Sequence, residues 1–286
     1  MKDLAGKVAV ITGGASGIGR ALAERAAAQG MKLVLADVEI GALDKAADEL
    51  RTAGADVLAV ATDVGDAEQM DVLGARTLER FGAAHLVCNN AGVAGGGPMW
   101  ELSTQDWEFV LRPNLWGVIH GVRVFGPGLV AQDEGHFVNT ASMAGLVSVP
   151  GMGPYNVTKH AVVTLSETLY GELVGAGSKV GVSVLCPGFV KTRIYESDRN
   201  RPEHLAPAQP VNVEEREQRR KMASAFFVQA MPAEEVAEQV FDAVDSGRFY
   251  ILTHDGAEKG VERRMAAIIA GGSPPVAAPD VFGSSD

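Results

Sequence analysis

Lys7-Val8-Ala9-Val10-Ile11-Thr12-Gly13-Gly14-Ala15-Ser16-Gly17-Ile18-Gly19 starts as an apolar run and ends in a glycine-rich turn. The run Lys7–Ile11 predicts a strand, and the Ala-rich segment Ile18–Gln29 predicts a helix closed by Gly30. A glycine turn alone is a weak signal. Between a first strand and a first helix, however, glycines let the backbone approach a pyrophosphate without Cβ clashes. The helix start then offers free N–H groups and a positive dipole end to the anion. Thr12, Gly13, Ser16, Gly17, Ile18 and Gly19 are therefore candidate phosphate-binding residues.

Working outward, apolar β-branched runs alternate with helix-period segments. Further strands are predicted at Lys32–Ala36, Val57–Thr62, His85–Cys88, His136–Thr140, Val180–Cys186 and Phe249–Leu252. Helices are predicted at Ile40–Thr52, from Asp66 to Phe81, from Ser103 to about Val130 with a break near Pro113, at Tyr155–Leu173 and at Pro232–Val244. Asp66 with Gln69 and Ser103 with Asp106 carry capping-box chemistry. Strands alternating with helices of this length imply parallel pairing and right-handed crossovers. The expected fold is α/β: one domain over residues 1–286, a doubly wound parallel sheet of about seven strands with helices on both faces. Two segments break the rhythm. Residues 193–230 lack a strand and carry the mixed charge run Glu214–Lys221, and residues 271–286 are rich in Gly, Pro, Ala and Ser, as in a flexible tail.

Composition excludes several function classes. Hydrophobic residues make up 47% and charged residues 21%, an ordinary globular mixture. A formal net charge of -11 argues against a nucleic-acid partner, because phosphate backbones need a basic surface. Nothing approaches the ~18 consecutive apolar residues that cross a bilayer. The start Met1-Lys2-Asp3-Leu4 lacks a signal-peptide core, so a cytoplasmic protein without membrane partner is expected. Cys88 and Cys186 each end an apolar run and are expected as buried free thiols. The six histidines show no metal-ligand spacing, so no metal site is expected.

Asp37 ends the second predicted strand, close to the roughly 20 residues after the glycine turn at which an acid reaches an adenosine ribose. A carboxylate there accepts hydrogen bonds from the 2′,3′-diol and repels a 2′-phosphate. Neither Val38 nor Ser16 supplies a cation for that phosphate. NAD is favoured over NADP. Tyr155 and Lys159 are four apart on a predicted helix and project from one face. Ser142 lies just past the fifth strand, at the carboxyl edge where doubly wound sheets hold ligands.

With these residues in place, the chain resembles a classical short-chain dehydrogenase/reductase from about Leu4 to Leu252. The resemblance rests on Thr12–Gly19, Asp63-Val64, Asn89-Asn90-Ala91-Gly92, Asn114, Ser142, Tyr155, Lys159, Pro187-Gly188 and Thr192. It implies a Rossmann-like fold, with Asn114, Ser142, Tyr155 and Lys159 as catalytic tetrad. It also implies that Asp63 and Val64 meet the adenine edge. Asn90, Ala91 and Gly92 would line the cofactor cleft, and Pro187, Gly188, Val190 and Thr192 would seat the nicotinamide. A free tyrosine titrates near 10, so a phenolate at neutral pH needs a shift of roughly 3 units, about 4 kcal/mol. An ammonium ~4 Å away supplies about that much at an effective dielectric near 20. Lys159 is thus expected to lower the Tyr155 pKa and, by the resemblance, to hold the cofactor ribose. Tyr155 exchanges the proton, Ser142 steadies the substrate oxygen, and Asn114 holds a relay water.

The resemblance places a substrate lid at 193–230, where Met222, Phe226 and Phe227 supply apolar surface. The expected small-molecule substrate is an apolar or aromatic secondary alcohol, converted to its ketone with NAD. The alternatives are an NADPH-dependent carbonyl or 3-oxoacyl reductase, an epimerase or dehydratase of the extended branch, and a NAD-sensing regulatory protein. The spacing from Gly13 to Gly17 departs from the extended branch. Met143, Leu146, Val147, Met152 and Phe189 are either core or pocket wall. By the same resemblance, Leu115–Val130 and Tyr155–Leu173 form association faces of a homodimer or homotetramer.

Overall fold

The computed structural model describes residues 1–206, Phe227 and residues 230–276. Met222, Phe226, the charge run Glu214–Lys221 and tail residues 277–286 therefore lie outside the described residues. Seven strands form one parallel sheet in the order β3-β2-β1-β4-β5-β6-β7. They are β1 (Val8–Thr12), β2 (Lys32–Asp37), β3 (Val57–Ala61), β4 (Leu86–Asn89), β5 (His136–Thr140), β6 (Gly181–Cys186) and β7 (Tyr250–Leu252). Strand β1 pairs with β2 from Val8↔Lys32 and with β4 from Ala9↔Leu86. The chain therefore runs outward through β2 and β3, then returns to β1's other side at β4. The crevice between β1 and β4 is the topological switch point at which such sheets bind ligands.

All five residues of β1 and all five of β5 are buried, as expected of central parallel strands covered on both faces. Alternation divides them. Ala9 and Ile11 join one core with Leu22, Leu33, Leu185 and Val240. Val8 and Val10 face the opposite core, with Val34, Val87, Leu129 and Phe137. The first core is roofed by α1 (Gly17–Ala28) and α2 (Ile40–Thr52). The second is covered by α3 (Ala67–Phe81) and, beyond α4 (Thr104–Leu111), by α5 (Gly117–Gln132) and α6 (Gly153–Gly175). Helix α7 (Ala233–Ser246) closes the first face beside α1. Cys88 and Cys186 are buried and unpaired, in β4 and β6.

Local chemistry explains most boundaries. Ser103 and Asp106 complete the capping box of α4. At α3, Asp66 accepts from the Glu68 and Gln69 N–H groups. The Gln69 side chain, however, accepts from the Asp63 N–H at 2.8 Å instead of closing a box on Asp66. The break near Pro113 is a single π-turn, Arg112–Trp116, through which α4 runs on into α5. Helix α6 begins at Gly153, two residues before Tyr155, with Pro154 in its first turn. A further helix, α8 (Ala257–Ile269), follows β7 and was not anticipated; only Ala257 and Gly260 are buried in it. Between Ile194 and Leu205 the chain forms 3-10 turns, Ile194–Asn200 and Glu203–Leu205. Among the described residues, no helix is long and apolar enough to cross a membrane.

Candidate active site

A cleft of about 420 Å³ opens along the carboxyl edge of β2, β1, β4, β5 and β6. Of the candidate catalytic and cofactor-binding residues, all line it except Thr12, Gly19 and Asn114, which stand directly behind the wall. Thr12 Oγ1 accepts from the N–H groups of Asn90 (2.9 Å) and Ala91 (3.1 Å), stitching β1 to the segment after β4. Asn90 Nδ2 returns a hydrogen bond to the Thr12 carbonyl at 3.0 Å. A Cβ on Gly19 would lie 2.0 Å from the Gly13 carbonyl oxygen, so only glycine lets α1 sit this close to the turn.

The first turn of α1, like those of α2 and α6, has neither a side-chain cap nor an acid. Asp66 caps α3 and Ser103 caps α4, whereas Ser16 makes no side-chain cap to α1 and no acid stands in its first turn. Its N–H groups and dipole face the cleft without a protein anion to satisfy them. This donor set fits a pyrophosphate.

At the β2 end of the cleft, Asp37 Oδ2 accepts from the Ala15 N–H (3.1 Å) and Oδ1 from the Glu39 N–H (3.0 Å). These bonds aim the carboxylate into the cleft from two fixed points. Burial nevertheless outweighs them and raises its pKa. Asp63 Oδ1 accepts from the Gly65 N–H at 2.9 Å, and Oδ2 accepts from Arg112 at 3.2 Å. Val64 is buried against Gly117, where a Cβ would come within 2.7 Å of it.

Tyr155, Lys159 and Ser142 meet at the other end. All three are buried, and Ser142 hydrogen bonds with the Tyr155 phenol. Lys159 Nζ donates to the Thr140 carbonyl at 2.9 Å and lies 5.5 Å from the Tyr155 ring centroid. Burial lowers the ammonium's pKa to about 8. Burial also pushes the phenol above its ordinary value, against the hydrogen bond from Ser142. With Lys159 hydrogen-bonded to the Thr140 carbonyl, burial outweighs the lowering expected of its ammonium.

Asn114 sits in the π-turn and is fully buried. Its Oδ1 accepts from the Val93 N–H (2.8 Å), while Nδ2 donates to the Val93 carbonyl (2.9 Å) and Thr158 Oγ1 (3.3 Å). It braces the wall behind Gly92, where a Cβ would approach Asn114 Oδ1 to 3.0 Å and Lys159 Nζ to 3.6 Å. π-Turns inside helices frequently mark functional sites, and here the wider turn brings an amide to the cleft wall.

On the β6 side, the Pro187 carbonyl accepts from the Met143 N–H at 2.9 Å. Gly188 donates to His254 Nδ1 at 3.2 Å, and His254 Nε2 is 3.0 Å from the Phe189 carbonyl. Val190 is buried and pairs with Met231. The Thr192 methyl would lie 3.0 Å from a Cβ on Gly17. His254 is a residue that spacing could not have indicated, since its cleft-side partners Gly188 and Phe189 are more than sixty positions away. Met152 and Phe189 line the cleft, Met143 is core, Leu146 packs on core, and Val147 faces a separate small pocket. No group of three or more metal-ligating side chains occurs among the described residues.

Comparison with known proteins gives the family. The short chain dehydrogenase family model matches residues 7–203. A "CLA biosynthesis dehydrogenase/reductase" from Lactiplantibacillus plantarum is 36% identical over 279 residues, covering 96% of this chain and 98% of its own. The "1-deoxy-11-beta-hydroxypentalenate dehydrogenase" of Streptomyces arenae is 36% identical, with 88% and 83% covered. A crystal structure of a short-chain dehydrogenase/reductase from Burkholderia phymatum in complex with NAD superposes with a TM-score of 0.93 at 48% identity, covering 97% and 99%. The chain belongs to the short-chain dehydrogenase family and is an oxidoreductase of that family.

Proposed function

We propose that the protein oxidises an apolar or aromatic secondary alcohol to its ketone with NAD as cofactor. One observation carries this reading: a single cleft runs from Asp37 to Tyr155, and its reactive end is walled by apolar side chains. Phe189, Tyr195 and Phe227 form an aromatic cluster there, with Phe227 5.7 Å from Phe189 and 5.4 Å from Tyr195 between ring centroids. Phe227 belongs to the expected lid, and we assign 193–230 that role. The NAD complex of the Burkholderia phymatum relative and the hydroxylated substrate in the Streptomyces relative's name both support the reading.

NAD, when bound, supplies the hydride acceptor. The protein's part is the proton and the positioning. As the phenolate, its own proton having first left to solvent, Tyr155 Oη takes the proton of the alcohol hydroxyl as that hydroxyl becomes a carbonyl. Ser142 Oγ donates a hydrogen bond to the same oxygen. Lys159 Nζ, close to the phenol, would hold the cofactor ribose and favours the phenolate once it forms. Asn114 holds the Gly92–Val93 wall and positions a water for proton relay. Asp37 receives the ribose diol, the Gly13–Gly19 turn the pyrophosphate, and Asp63 with Val64 the adenine edge.

An NAD-reduction screen over diverse secondary alcohols, followed by absorbance, tests the proposal. Bulky apolar and aryl alcohols should turn over, and Tyr155→Phe should lower kcat at least a thousandfold, losing general base and hydrogen bond together. Turnover confined to small polyols or acyl thioesters, or undiminished turnover in Tyr155→Phe, would sink it. A clear preference for NADPH would select the carbonyl or 3-oxoacyl reductase alternative. We also propose a cytoplasmic homo-oligomer, associated through α5 and α6. Val130, Tyr170 and Val174 are exposed on these helices.

A further inference from the structure

The 3-10 segment after β6 does more than cover the reactive end. It crosses the cleft and is fastened on both banks. On the adenosine bank, Arg199 Nε and Nη2 donate to Glu39 Oε1 at 3.0 and 2.7 Å, and Asn200 Nδ2 donates to the same oxygen at 2.9 Å. On the opposite bank, Ser197 Oγ accepts from the Ala94 N–H at 2.8 Å. Arg201 Nη1 pairs with Asp106 at 2.9 Å, its guanidinium 4.4 Å from the Phe109 ring centroid. Arg199 Nη1 also donates to the Arg193 carbonyl at 3.0 Å, which fixes the plane of the guanidinium.

The adenosine fastening places an arginine where sequence spacing showed no cation. Asp37, Glu39 and Arg199 line the same stretch of cleft, and the Glu39 N–H is itself bonded to Asp37. A guanidinium beside the ribose-binding acid is the group that would grip a 2′-phosphate, with its planar fork of donors. Here that fork is turned onto Glu39. Burial works against the Glu39 carboxylate, but the bonds from Asn200 and Arg199 prevail and hold its pKa below the usual value.

We infer that Glu39 is a second residue setting the cofactor preference, acting by sequestering Arg199 in an ion pair and so withholding it from a 2′-phosphate. The inference rests on the dinucleotide reading of the cleft. Discrimination against NADP then has two parts: repulsion by Asp37, and a cation kept occupied by Glu39. Opposing the wrong ligand by denying it a partner is a recognised route to specificity.

Fluorescence titrations of NADH and NADPH into the full chain test this with wild type, Glu39→Gln and Glu39→Gln/Arg199→Gln. Both side chains of the pair are about a quarter exposed, 26% each, so these substitutions leave the core intact. In Glu39→Gln the ratio of NADPH Kd to NADH Kd should fall about tenfold, the value of one charge-assisted contact to phosphate. Adding Arg199→Gln should return most of that gain. An unchanged ratio in Glu39→Gln overturns the inference. So does a gain that persists in full in the double variant, which would assign it to the lost carboxylate charge alone. A wild-type protein that binds neither nucleotide overturns the dinucleotide reading itself.

Discussion

Lys159 is held in a place that its charge disfavours. Its ammonium is buried beneath Tyr155, donates to one carbonyl, and has its pKa lowered to about 8. In the unfolded chain the same group titrates near 10.4. Between these values the unfolded chain binds more protons than the folded one, so this residue's contribution to stability rises as pH increases from about 8 and levels off once both states are deprotonated. At neutral pH the folded state carries the full cost of the buried charge. Lys159→Met should therefore raise the midpoint of thermal denaturation by a few degrees at pH 7 while abolishing turnover. Removing the charge relieves desolvation of about 3 kcal/mol, against about 1 kcal/mol for leaving the Thr140 carbonyl unpaired. A lower midpoint in calorimetry would show that the ammonium is better satisfied than its neighbours indicate.

At the scale of elements, the cleft depends on how closely α5 lies on β4. Gly121 permits that approach: a Cβ there would stand 1.8 Å from Asn89 Oδ1. Asn89 Nδ2 in turn donates to Asn139 Oδ1 at 2.9 Å, and Asn139 donates to Ser166 Oγ at 3.0 Å, so a buried polar ladder joins β4, β5 and α6. Gly121→Ala should cost about 2–3 kcal/mol or more in urea denaturation, because the ladder cannot yield without losing its own bonds. A change below about 0.5 kcal/mol would mean that α5 can slide. This glycine was not legible in the sequence, for nothing local distinguishes it from Gly117 or Gly126. Legibility followed the range of the interaction. The Thr12–Gly19 turn, Asp37 and the Tyr155–Lys159 pair are set by short spacings within one strand–turn–helix or one helix face, and the sheet followed from apolar alternation. Glu39 with Arg199, and His254 with Gly188, are contacts between segments distant along the chain, and no periodicity announces them. The π-turn at Arg112–Trp116 showed only as a proline break. Helix α8 escaped because it buries so little of one face.

For the whole molecule, α5 and α6 pack on the sheet and still leave Val130, Tyr170 and Val174 exposed, along with Trp116 in the π-turn. Apolar side chains at such positions are those a second subunit would cover. Light scattering coupled to gel filtration should give two or four times the 29.9 kDa chain mass, and a value near a single chain would refute association through these helices. The order of the strands has one more consequence. Asp37 ends β2, and Lys159 is tied to the end of β5, three strand spacings away through β1 and β4. At ~4.8 Å per spacing the sheet is a ruler of about 14 Å. A mononucleotide reaches one mark on it and never both. Two nucleotides joined through phosphates are long enough to touch the acid at one end while presenting a ring to the phenol at the other, so on the proposed reading the pitch of the sheet favours a ligand of that length.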